Sequence, residues 1–97
     1  MNSNSLLIFP EDFDDYAWQL ESKGWFSGAT LDYQGRRYPL SFFDPVRLAQ
    51  DIERVLQAGE TFFEPNLVVI PTVTRENMEK AAAWLVASSN LQSLVAE

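Results

Sequence analysis

Pro10-Glu11-Asp12-Phe13-Asp14-Asp15-Tyr16-Ala17-Trp18-Gln19-Leu20-Glu21-Ser22-Lys23-Gly24 admits two readings, and each leads to a different sheet. As a helix, Pro10 takes the first position, where its missing N–H costs nothing, and Glu11, Asp12, Asp14 and Asp15 complement the positive helix end. Phe13, Tyr16, Ala17 and Leu20 then share a face, and Gly24 supplies the stop. As a strand, Tyr16, Trp18 and Leu20 alternate with Ala17, Gln19 and Glu21. The helix is the preferred reading; the strand stands as its alternative.

On either side the pattern is plainer. Leu6-Leu7-Ile8-Phe9 is a short apolar run ended by Pro10, which suits a buried or edge strand. Trp25 to Tyr33 and Arg36 to Phe43 are β-rich runs around Gln34-Gly35, where glycine supplies the positive φ of a tight hairpin turn. Leu31 and Tyr33 alternate on one arm, and Tyr38, Leu40 and Phe42 on the other. Pro39 has no amide hydrogen, so its amide position should face away from a paired neighbour or lie at a bulge.

Asp44-Pro45 starts a helix, with a carboxylate cap and proline at the first helical position. Leu48, Ala49, Ile52, Val55 and Leu56 recur at helical spacing until Gly59, and Arg47 and Asp51 pair four apart on the expected outer face. Asn66 opens Leu67-Val68-Val69-Ile70, whose unbroken apolar character predicts a central strand buried on both faces. Thr74 caps a helix through about Ser88 with Met78, Ala81, Ala82 and Leu85 inward. Leu91 to Val95 follows as a short amphipathic tail.

The order β-α-β-β-α-β-α predicts an α+β fold in two layers. Its sheet has about four strands, mostly antiparallel, with two to three helices on one face, in split βαβ, ferredoxin-like order. If residues 10–24 are a strand, the result is an antiparallel meander followed by α-β-α.

Composition narrows function. The 97 residues carry 14 acidic and 7 basic side chains, a net charge of −7 without histidine, while 46% are hydrophobic and 13% aromatic. That aromatic content excludes a disordered acidic tail. It suits a single domain over 1–97, with residues 1–5 a flexible N-terminus and 91–97 a short tail. Without cysteine or histidine there is no disulfide, thiolate or imidazole chemistry, and no cofactor is expected. The polar start is no signal peptide and no run is long enough to span a membrane, so a soluble, cytoplasmic protein is expected. The charge disfavours nucleic acid and favours a basic protein partner, although solubility alone also accounts for it.

The densest charge is Glu11, Asp12, Asp14 and Asp15. These carboxylates can serve a helix end, a basic partner, or a hard cation. An EF-hand-type calcium loop is excluded, because its turn glycine and terminal bidentate glutamate are both missing. Arg36 and Arg37 beside the hairpin turn can clamp an anion or simply form a solvated rim. Aromatics outnumber what one sheet face can bury, and Phe42-Phe43 and Phe62-Phe63 each send one ring to either side. Trp84 falls off the Met78–Leu85 stripe, so it either marks an interface or is covered by the C-terminal tail.

Three segments, Phe9-Pro10-Glu11-Asp12 running into Tyr16 to Leu20, Tyr38 to Leu48, and Leu67 to Leu85, together resemble small bacterial immunity proteins of polymorphic-toxin systems, over about half of the chain. The resemblance implies an α+β domain that binds and neutralises one toxin and catalyses nothing. It also implies a strand at Tyr16 to Leu20, and it carries over no binding residue. The leading expectation is therefore a non-catalytic protein-interaction domain. The alternatives are a domain that self-associates through Trp84 and the tail, and a carboxylate-based metal-binding domain or enzyme.

Overall fold

The computed structural model describes residues 6–97; the N-terminus expected to be flexible, 1–5, lies outside them. A two-residue strand, β1 (Leu7–Ile8), leads into three short helical pieces: α1 (Phe13–Tyr16), a 3-10 turn over Ala17–Gln19, and α2 (Leu20–Lys23). Residues 10–24 are thus helical, not a strand, but broken. The break falls at Tyr16, whose φ of −132° leaves the helical range. Pro10 does not open the helix; its carbonyl instead accepts from the Phe13 N–H in a preceding turn. Gly24 ends α2 in the left-handed region at φ 75°, its N–H bonded to the Leu20 carbonyl, as a C-terminal glycine should.

The hairpin follows as expected, with β2 (Trp25–Tyr33) and β3 (Arg36–Phe43) joined by Gln34 and Gly35 at φ 51° and 81°. Two positive φ values in a two-residue loop match the right-handed twist of the strands. Then come α3 (Pro45–Gln57), β4 (Leu67–Val69), α4 (Arg75–Ala87) and a 3-10 turn at Leu91–Ser93. Both long helices start at the expected caps: Asp44 accepts from Arg47 N–H at 2.7 Å and Thr74 from Asn77 N–H at 3.2 Å.

This is an α+β fold around a four-stranded, mostly antiparallel sheet. The strands lie in chain order, β1-β2-β3-β4, with the first two pairings antiparallel and the last parallel. The elements therefore follow the expected sequence while the strand neighbours are those of a meander. The reason is the brevity of the helical pieces between β1 and β2. They reverse the chain so that Leu7 pairs with Leu31, and do not carry it along the sheet to a parallel neighbour.

β4 is an edge strand, not a central one. It adds to the free side of β3 over three residues, and Val69 stays exposed. Pro39 causes no loss there. Its carbonyl accepts from Asn66 Nδ2, so its amide position also points to the β4 side, beyond the Ser41–Phe43 ladder.

One face of the sheet carries Leu31, Leu40 and Phe42, and on it pack Phe13 and Leu20 from the short helices with Met78, Ala82 and Leu85 from α4. Burying each such large side chain stabilises by about 1.5–3 kcal/mol. An aromatic group of Phe9, Phe13, Tyr16 and Phe26 closes one end, with the Arg75 guanidinium 4.8 Å from the Phe9 ring centre. The other face carries Trp25 and Phe43, and α3 with the loop after it lies over them, so the α+β fold has helices on both faces of the sheet and not on one as expected.

Candidate functional site

Helix α3 is amphipathic, yet none of its residues is fully buried. Its inner side is mixed: Arg47 and Asp51 lie there beside the half-buried Leu48, Ile52 and Val55. Arg47 donates from Nε to Asp51 at 3.0 Å and from Nη1 to the Lys23 carbonyl at 3.0 Å, with its guanidinium 5.8 Å from the Trp25 ring centre. Arg54 reaches the same Asp51 oxygen at 3.1 Å. Asp51 is accordingly left with only 14% of its side chain exposed. Leu56, by contrast, is 58% exposed. Arg47 and Asp51 are thus on the inner side of the helix, contrary to the sequence expectation.

The reason is the entry into the helix. Gly24 sits against Asp44 and Arg47, where a Cβ would come within 2.6 Å of Asp44 Oδ2 and 2.9 Å of Arg47 Cβ. The Asp44 N–H also donates to the Gly24 carbonyl at 2.9 Å. This fixes how the first turn is rotated. At about 100° per residue, Arg47, Asp51 and Val55 then point at Trp25 and Phe43, Leu48 and Ile52 flank them half-buried, and Ala49 and Leu56 point away. Ala49, Ile52 and Leu56, with Glu53 and Gln57, line a shallow depression on α3.

The residues singled out in the sequence lie elsewhere, at three separate places. Glu11, Asp12, Asp14 and Asp15 are exposed around the start of α1. Asp14 pairs with Arg75 at 3.6 Å. The Tyr16 phenol is raised above its usual range, first by partial burial and then by Asp12, through charge and a hydrogen bond, and by Asp15. Among the described residues no group of three carboxylates could hold a metal ion.

Arg36 and Arg37 are exposed at the start of β3, and Arg37 lies 3.9 Å from Asp32 across the hairpin. Trp84 is 60% exposed on the outer side of α4. The tail does not cover it. Leu91, Leu94 and Ala96 pack against the core, Val95 pairs with Asn66, and Glu97 N–H donates to the Arg37 carbonyl at 2.8 Å. The tail thereby continues the β4 edge along β3.

Of the doubled aromatics, Phe42 and Phe43 are both buried, on opposite faces, whereas Phe63 is 79% exposed beside the half-buried Phe62. Trp18, at 77%, is the third large ring in solvent. The excess of aromatics over one sheet face implied some exposed ring surface, and Trp18, Phe63 and Trp84 are where it lies; the exposure of Ala49 and Leu56 on α3 was not anticipated. The one available signal for it was the Arg47–Asp51 spacing, whose pairing lets two charged residues turn inward.

Comparisons with protein-family models, curated proteins and solved structures returned no match for this chain. Fold and surface together define the class: a small, acidic α+β protein with separate apolar and charged surface features. No helix among the described residues is long and apolar enough to cross a membrane.

Proposed function

We propose that this protein is a non-catalytic interaction domain that binds a basic protein partner, as the immunity proteins it resembles bind their toxins. The observation that carries this reading is apolar exposure on an acidic chain. Trp18, Phe63 and Trp84 stand largely in solvent, with Val46 and Leu56 on α3, while the net charge is −7. Scattered apolar residues are ordinary, but large exposed aromatics are the usual anchors of interfaces. Negative charge would steer a basic partner to them. A partner met in the cytoplasm fits a chain without cysteine.

Self-association is the second reading, favoured by the exposure of Trp84. Its other half is weakened, because the tail is engaged within the same chain.

Affinity capture on the immobilised chain from lysate of its source cell tests the first reading. The expected result is a basic protein whose association slows as salt is raised, since exposed charge is screened over about 8–10 Å near physiological ionic strength. Recovery of nothing above background overturns it. A neighbouring gene whose product arrests growth alone, and fails to when this chain is co-expressed, would support the toxin-neutralising version.

A further inference from the structure

We infer that the outer edge of β4 pairs antiparallel with β4 of a second copy, about a two-fold axis at Val68, and joins the two sheets into one. The inference is independent of the basic-partner reading and moves self-association from Trp84 to the sheet edge. Three observations lead to it.

First, the edge is open. The Ser41 N–H donates to the Asn66 carbonyl at 3.1 Å, and the Ile70 N–H to the Phe43 carbonyl at 3.0 Å. Residues 66, 68 and 70 thus turn their backbone groups to β3, and alternation turns those of Leu67 and Val69 outward. Among the described residues no strand lies beyond β4 and no hydrogen bond reaches those outward groups. Val69 is 48% exposed.

Second, the rest of the sheet perimeter is blunted in the ways that keep edges from pairing. A turn at Pro10 follows β1 directly after Phe9. Along β3, Pro39 has no amide hydrogen, and Asn66 and the tail occupy the carbonyls of Pro39 and Arg37. Leu67–Val69 carries no charge, proline or bulge.

Third, the segment is complementary to itself, and this selects a second copy as its occupant. Pro65 and Pro71 stand three residues to either side of Val68. With the two-fold axis there, Leu67 lies across from Val69 of the other copy, and the outward N–H and C=O groups of both residues are satisfied in both copies. Pro65 falls opposite Pro71, where neither has a donor to lose, and the ladder ends. Val68 meets Val68 on the core face, so every pair within the ladder is apolar. Residues 65–71 carry no charge, and Glu64 falls across from Thr72, so no two carboxylates are set opposite each other. An extended segment of another protein would meet the same backbone groups without this matched proline spacing.

The test follows the mass of the full chain by sedimentation equilibrium from about 10 µM to about 1 mM, the range in which so short a ladder is expected to associate. The expected result is a rise towards twice the monomer mass. Added salt should strengthen it by screening the −7 charge on each copy, the reverse of the response expected with a basic partner. Amide exchange locates the contact: the Leu67 and Val69 N–H groups should exchange at least about twofold more slowly at the high concentration than at the low. Those of Val68 and Ile70, already turned to β3, should not change.

Val69→Pro removes an outward donor and spares the β3 ladder, and Val69→Lys sets a charge against Leu67 of the other copy. Each is expected to weaken association by about tenfold or more. Unchanged exchange at Val68 and Ile70 checks that the strand is intact, and Val69→Lys decides if the proline variant fails that check.

A chain that stays monomeric at about 1 mM overturns the inference, including the case in which Leu67 and Val69 are protected only by a captured partner. So does a dimer that an intact Val69 variant leaves unweakened, or one that Trp84→Ala abolishes. Capture of a basic partner is decided by its own experiment, so either reading can fail without the other.

Discussion

Asn66 and Val95 are bonded in both directions: the Asn66 Nδ2 donates to the Val95 carbonyl at 2.8 Å, and its Oδ1 accepts from the Val95 N–H at 2.8 Å. The same amide also donates to the Pro39 carbonyl at 2.8 Å. One side chain thereby ties the C-terminal tail to the sheet edge where β4 begins. Asn66 holds a φ of 53°, a conformation asparagine tolerates better than most residues.

Asn66→Ala removes all three bonds and leaves a left-handed alanine. The expected loss is about 2–3 kcal/mol, from the unmade bonds and the backbone together. Amide exchange should accelerate at Val95 and Glu97 before it does in β2 and β3. Unchanged exchange in the tail would show that Leu91 and Leu94 hold it without the amide.

Gly24 and Gly35 both have positive φ, yet only one is crowded. Gly24→Ala is expected to cost about 2 kcal/mol or more, through left-handed strain and collision with Asp44. It should also loosen α3 relative to the hairpin, visible as altered Trp25 resonances. Gly35→Asn, in an open turn that asparagine suits, should stay within about 0.5 kcal/mol. Chemical denaturation of both variants makes the comparison, and equal losses would contradict the account of the α3 entry.

Phe42→Ala is expected to cost about 3–5 kcal/mol, because its ring is fully buried in the core. Trp84→Ala should change stability by less than about 1 kcal/mol, despite removing the larger side chain. A large loss at Trp84 would mean that it serves packing and not surface.

The raised Tyr16 phenol gives a pH dependence whose sign is set by the neutral form being favoured in the folded chain. The unfolded chain ionises first as pH passes the ordinary tyrosine value of about 10, so stability present below that value falls as pH rises towards the folded one. Tyr16→Phe should flatten that decline and remove one component from the phenolate absorbance titration. Asp12→Asn should move the component towards lower pH. An identical alkaline decline in Tyr16→Phe would refute the assignment.

Local chemistry was legible residue by residue. The Gln34-Gly35 turn, the Asp44-Pro45 and Thr74 helix starts, the Gly24 and Gly59 stops and the Met78–Leu85 stripe each depend on neighbours a few positions away. Caps, turn glycines and periodicity report those directly. The charge, and the lack of histidine and cysteine, likewise limited the available chemistry before any fold was known.

The spatial assignments depended on contacts between distant segments. Periodicity gives a helix an apolar side but does not say what that side meets. For α3 it was the approach of Gly24 to Asp44 and Arg47, twenty residues and more along the chain, that turned the Arg47–Asp51 side onto Trp25 and left Leu56 in water. The apolar run of β4 likewise read as central, and became an edge because β1 and the hairpin already occupied the other side of β3. Trp84 stayed exposed for a similar reason: Asn66 and Arg37 bind the tail along the sheet edge, away from the outer side of α4.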